Sequence, residues 1–202
     1  MTAIASKIMH RIRAKQRGWV FAPRDFTDLG ARAVVDQTLS RLVRKGSIRR
    51  LGRGVYDYPR HHAVLGTLAP DADSLAQAVS AKSGDTAFPS GAVAANLLGL
   101  STQVPARPVY LTNGRSRTRK IAGRTITLKH ARVPLLSQLP DKVNLTLQAL
   151  SYIGKDNLDD QALSRCAKKL NDGDMRALVI AASYVPSWMA DKLRRIQQLK
   201  HG

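Results

Sequence analysis

One segment that reads as a helix, Ala31 to Lys45, places Arg32, Asp36, Gln37, Ser40, Arg41 and Arg44 on the side opposite its apolar stripe. These side-chain types read or hold a nucleic acid. Arg and Gln can each bond two atoms of one base edge, guanine for Arg and adenine for Gln. Asp36 can accept from cytosine N4, or pair with Arg32 or Ser40 beside it. Arg41 and Arg44 lie farther along and suit phosphates, which position a protein without reading sequence. Arg49, Arg50 and Arg53 follow, with Gly52 and Gly54 bracketing the last of them. An Arg at a glycine-flanked hairpin tip can reach a narrow minor groove, where negative potential is concentrated. A further run, GRSRTRKIAGR, carries Arg115, Arg117, Arg119, Lys120 and Arg124 without an acidic residue. It reads as a second phosphate-contacting loop, a surface for an acidic protein partner, or a solvated hairpin tip.

The elements needed to position the first two groups are legible. Ile4, Ile8 and Ile12 recur every fourth residue, with Lys7, Arg11, Arg13 and Lys15 opposite, which predicts a helix ending near Gly18. Trp19 to Phe21 form a short extended apolar piece. Pro23 suits the first turn of a short helix, Arg24 to Leu29, with Gly30 turning out of it. In the helix from Ala31, the expected buried stripe is Val35, Leu39 and Leu42, with Val34, Thr38 and Val43 alongside. Gly46 ends that helix, and Ile48 to Leu51 and Val55 to Tyr58 read as two strands of a hairpin. Three helices and a basic hairpin make a winged helix-turn-helix, whose second helix of the pair enters the major groove.

The charge agrees. The chain of 202 residues has 33 Lys or Arg against 14 Asp or Glu, a net charge of +19, with fourteen of the cations and four of the acids in residues 1–60. Such self-repulsion is relieved by a polyanion, and nucleic acid is the commonest one. Aromatic residues make up only 5%, and Trp19, Phe21 and Phe26 read as core, which disfavours the alternative of a general RNA-binding or ribosome-associated protein that stacks bases. No apolar run is long enough to span a bilayer, and the N-terminal segment mixes basic with apolar residues where a signal peptide needs an unbroken apolar stretch. A cytoplasmic protein is expected.

Catalysis has no support in the residues. Cys166 is the only cysteine and lies inside an expected helix, Asp159 to Leu170, where a buried small hydrophobe is the better reading than a nucleophile. His10, His61, His62, His130 and His201 show no ligand spacing, with His61 and His62 reading as linker, so no metal or cofactor is expected. Gly52 and Gly54 belong to no phosphate-binding loop. Asp141, Asp159 and Asp172 stand at helix starts, as caps or dipole partners.

Past residue 60 the pattern predicts helices at Asp73 to Lys82 and Ser90 to Leu98, then a loop punctuated by Pro105 and Pro108. Val109 to Thr112 and Thr125 to His130 read as strands joined by the basic run as their connection. Helices follow at Asp141 to Tyr152, Asp159 to Leu170, Asp172 to Tyr184 and Ser187 to Leu199. The expected fold class is therefore α+β, mainly helical. A winged helix-turn-helix at residues 1–60 precedes a mixed second domain at 61–202, with a β-hairpin and a helical end.

Taken in order, AVVDQTLSRLVRKGSIRRLGRGVYDYP (Ala33 to Pro59), PSGAVAANLLGL (Pro89 to Leu100) and VYLTNGRSRTRKIAGRTITLKH (Val109 to His130) resemble antitoxins of the abortive-infection E system, a type IV toxin–antitoxin group. The strand followed by TNG and an Arg-rich return is the most telling block. The resemblance implies a winged helix that represses its own operon at inverted repeats. It also implies a second domain that neutralises a nucleotidyltransferase-like toxin without requiring a stable complex. Carried onto this chain, Arg32, Gln37, Arg41, Arg49, Arg50 and Arg53 would contact DNA, as a monomer in solution that pairs on DNA or as a dimer. The helices after Leu135 match no part of that pattern.

Overall fold

In the computed structural model the described residues are 3–103, 105–106 and 109–201; Pro108 and the side chain of His201, both read in the sequence, lie outside them. The chain is α+β and mainly helical, and it divides into two compact units. The first unit gathers Met1–Ala87 with Gly114–Leu128, and the second gathers Phe88–Asn113 with Lys129–Gly202. No helix among the described residues is long and apolar enough to cross a membrane.

The first unit opens with α1 (Ala3–Ala14), β1 (Val20–Phe21), a single 3-10 turn (Pro23–Phe26), α2 (Arg32–Arg44), and the hairpin of β2 (Arg49–Gly52) and β3 (Val55–Asp57). β3 lies centrally and pairs antiparallel with β1 and β2, so the extended piece after α1 closes the sheet of the wing. This is the helix-turn-strand order of a winged helix. The second helix is shorter than its pattern suggested, because Asp25 accepts a hydrogen bond from the Ala22 amide at 2.8 Å and ties the segment into one tight turn. Ile8, Ile12, Phe21, Phe26, Val35, Leu39 and Leu42 share one core. Phe21, Phe26 and Tyr56 pack together within it with Trp19 against them, Phe21 stacked on Tyr56 and edge to face with Phe26 at 5.5 Å between centroids. Val34 departs from the expected stripe and is 43% exposed, since a step of about 100° per residue carries it past the buried sector.

Besides residues 114–128, two additions extend this unit beyond residue 60. His61–His62 and Gly66–Thr67 form a small exposed hairpin, β4 and β5, where a linker was expected. Helix α3 (Ala72–Ser83), capped by Asp71, then packs Leu75, Ala76 and Val79 against the winged helix. The expected boundary at residue 60 therefore does not match the compact unit, because α3 shares that unit's packing. In the second unit β6 (Phe88–Pro89) precedes α4 (Gly91–Leu97), and pairs with β7 (Val109–Thr112). The basic run, expected to be a connection only, contains a strand: β8 (Arg117–Ile121) pairs in register with β9 (Arg124–His130). Their turn is Ala122–Gly123, with φ of 49° and 76°, the positive pair that a two-residue hairpin of matching twist requires.

The helical end of the second unit comprises α5 (Asp141–Ile153), α6 (Asp160–Lys169), α7 (Asp172–Ala181) and α8 (Ser187–His201). Gly91 lets α4 lie close to α5, as a Cβ there would stand 2.8 Å from the Gln148 carbonyl oxygen. Leu147, Leu150, Leu163, Leu178, Leu193 and Ile196 are fully buried in the shared core. Asp159 caps α6 by accepting from the Ala162 amide, and α7 is capped by Asn171 with Asp174 reaching back, leaving Asp172 in the first turn. Cys166 is buried in this core, and desolvation pushes its thiol up to about 11.

Two outcomes follow from this packing. Phe26→Ala should cost about 3–5 kcal/mol of stability, read by denaturant unfolding, because the ring is fully buried among other aromatics. Cys166 should resist a thiol reagent at pH 8 and react only as fast as the chain unfolds; rapid labelling of the native protein would contradict its burial. The unfolded chain releases this proton at lower pH than the folded one, so the thiol's contribution to stability is intact at neutral pH and is lost as pH rises towards 11.

Candidate nucleic-acid interface

The face of α2 turned from the core offers two rows. Arg32, Asp36 and Ser40, four residues apart, line an open cleft of about 830 Å³; Gln37, Arg41 and Arg44 are exposed beside that row. Every residue lining the cleft belongs to the first unit. Its other walls are the wing, with Arg50 and Arg53, the end of α3, with Lys82, and strand β8, with Arg117, Arg119 and Lys120. Seven cations and one carboxylate therefore converge on one concavity.

Asp36, the carboxylate, accepts from Arg32 Nε at 2.9 Å. That pairing was one of the two readings of Asp36, and it engages the Arg32 guanidinium through Nε. Both side chains are about half exposed, so the pair orients more than it stabilises. Lys82 donates to the Arg53 carbonyl at 2.8 Å, which holds the wing tip against the end of α3. Burial, then the charges of Arg53, Arg119 and Arg32, push the Lys82 pKa down. Burial contributes most to that shift, and the three arginines add to it because like charges converge on the cleft.

The wing is shaped for a close approach. A register shift between Arg50 and Gly52 bulges β2, and Gly54 turns the tip with φ of 70°. A Cβ at Gly54 would press to 3.2 Å from Lys82 Cε, so glycine serves both the backbone and the packing. Arg53 and Arg50 are exposed, and Arg50 leans on the Gly52 carbonyl at 3.4 Å.

Arg49 sits differently from its neighbours. Its guanidinium bonds Asp57 at 2.6 and 3.1 Å and the Leu68 carbonyl at 3.0 Å. Asp57 is only 1% exposed, and the hydrogen bonds that its carboxylate accepts from Arg49 raise the arginine's pKa. Arg49, expected among the DNA contacts, is thus a strut of the wing: a buried carboxylate needs a partner, and the strand register puts Arg49 directly opposite.

Of the basic run, Arg117, Arg119 and Lys120 line the cleft, while Arg115 and Arg124 are exposed at the ends of the hairpin and do not line it. One contributor was missed in the sequence: Lys82, which drew no reading beyond closing the helix expected at Asp73 to Lys82. Val34, read as core, is exposed one turn before Gln37 on α2 and does not line the cleft. Tyr56 is the one aromatic residue lining the cleft and is 5% exposed, so no stacking platform faces it.

Among the described residues no three His, Cys, Asp or Glu side chains gather as a metal site. None of the curated proteins matches the chain. Residues 7–178 match a family of unknown function, DUF6088, and since that match spans most of the chain, the protein belongs to DUF6088.

Proposed function

We propose that this protein is a sequence-specific binder of double-stranded DNA that represses its own operon at inverted repeats and serves as the antitoxin of a type IV toxin–antitoxin pair. The single observation that carries the DNA half is the exposed face of α2, where Gln37 and Arg41 flank the row of Arg32, Asp36 and Ser40 that lines, with the basic wing, a cleft of seven cations. In this reading Arg32, oriented by Asp36, and Gln37 address base edges in the major groove. Arg41, Arg44 and Arg50 hold phosphates, and Arg53 reaches the minor groove. An operator with inverted repeats takes two copies of the chain, one per half-site.

The antitoxin half rests on the resemblance of the three sequence blocks to abortive-infection E antitoxins, which brings with it a nucleotidyltransferase-like toxin as partner; a cytoplasmic location fits the lack of a spanning helix among the described residues. The alternative of a general RNA-binding protein loses support from the aromatic side chains, since Phe21, Phe26 and Tyr56 pack in the core of the winged helix with Trp19 against them.

Band-shift titrations of the chain's own upstream DNA against a shuffled fragment test the assignment residue by residue. Gln37→Ala should lose about five- to a hundredfold in affinity for the upstream DNA and keep its affinity for the shuffled fragment, as expected for one lost bidentate base contact of about 1–3 kcal/mol. Arg41→Ala should weaken both fragments by the same factor. Equal losses on both fragments for Gln37→Ala would remove α2 as the reading element. Co-expression with a nucleotidyltransferase-like product encoded beside it tests the second half. Growth restored by this chain supports the antitoxin reading, and growth arrest despite it leaves a repressor alone.

A further inference from the structure

The wing and α2 account for only part of the charge in the cleft. Strand β8 brings three cations in five residues, Arg117, Arg119 and Lys120, and a solvated hairpin tip would have no need to be anchored. This strand is anchored. Arg117 Nη1 pairs with Asp85 at 2.8 Å, and both side chains are largely buried, with exposures of 17% and 20%. Gly114, at the head of the run, stands so close to Asp85 that a Cβ there would lie 2.2 Å from the carboxylate. At the other end Ile121 reaches the wing, 3.9 Å from where a Gly52 Cβ would be. The hairpin is thus built into the first unit, with its cations facing the same concavity as Arg53 and Lys82.

One donor in this assembly is left over. Arg117 Nη2 is buried without a hydrogen-bond partner, although its sister nitrogen is paired. That orphaned donor belongs to the anchor and is buried from any ligand; what a ligand can relieve is the crowding of cations into a concavity whose single carboxylate is already held by Arg32. A phosphate offers what the site lacks, namely negative charge and several acceptor oxygens.

We propose that β8 is a third DNA-contacting element: Arg119 and Lys120, with Lys82 and Arg53, clamp the phosphates of the one backbone strand that runs between the major groove facing α2 and the minor groove facing the wing. The clamp rests on the DNA reading above and extends it. It reads no bases, so it adds affinity without preference. Its Arg117–Asp85 anchor positions the strand and touches no base.

The test is a salt titration of binding to the upstream and shuffled fragments, with the full chain and two variants of equal charge. Arg119→Ala with Lys120→Ala should weaken both fragments by the same factor and leave their ratio unchanged. It should also reduce the slope of log K against log salt by about 1.8, since each phosphate contact contributes about 0.9. Lys168→Ala with Lys169→Ala removes two exposed cations from α6 in the second unit and should leave the slope unchanged. If the β8 variant behaves like the α6 variant while the unsubstituted chain still prefers its upstream DNA, β8 is no DNA contact and the reading of α2 stands. If the unsubstituted chain shows no preference at all, the DNA reading falls and the clamp with it.

Discussion

The architecture of the first unit depends on how its few carboxylates are spent. Asp28, Asp36, Asp57 and Asp85 each hold one arginine, namely Arg11, Arg32, Arg49 and Arg117. Asp25 and Asp71 hold backbone amides at the starts of the 3-10 turn and α3. Acid is used here as strut and cap, and only Asp36 lines the cleft. The other lining cations therefore repel one another at close range. Packing forces compensate, through the aromatic cluster beneath the wing and the burial of α3. Like charge stored in this way costs stability that a bound polyanion, on the proposed reading, would return.

The cations differ in what holds them, and that sorts their roles. Arg49 and Arg117 are fixed by largely buried carboxylates and serve the wing and the hairpin. Arg32 is fixed through Nε by an exposed partner. Gln37, Arg41, Arg44 and Arg53 are exposed side chains on rigid backbone. Reading a base needs a fixed origin with a reachable tip, while holding a phosphate needs only charge within reach. The first description suits Arg32 and Gln37, and the second suits Arg41, Arg44 and the wing.

Much of this was legible in the sequence, for definite physical reasons. Apolar periodicity located α1 and α2, glycines located the wing, and the late helices followed from their stripes and acidic starts. The failures share a cause. Strand β8 was hidden because three of its five side chains are charged, so no apolar alternation marks it, and the contacts that anchor it beside the cleft, with Asp85 and Gly52, are distant in sequence. Arg49 and Arg53 look alike in a sequence, yet the strand register sets one against a buried aspartate and leaves the other at the tip. Lys82 was passed over because its helix end reaches the wing only through tertiary packing. Local patterns gave the scaffold; long-range pairings decided which cations face the cleft.

The account's central claim is that the basic face of the winged helix reads a DNA sequence and does more than attract charge. Binding of the full chain to its own upstream fragment and to a shuffled one of equal length, across ~50 to 200 mM salt, tests it most directly. The account predicts that the upstream fragment is preferred by about a hundredfold or more at the higher salt, where the non-specific component has faded. Two fragments that bind alike and weaken together as salt rises would contradict it, and the face would then be an electrostatic surface without a code.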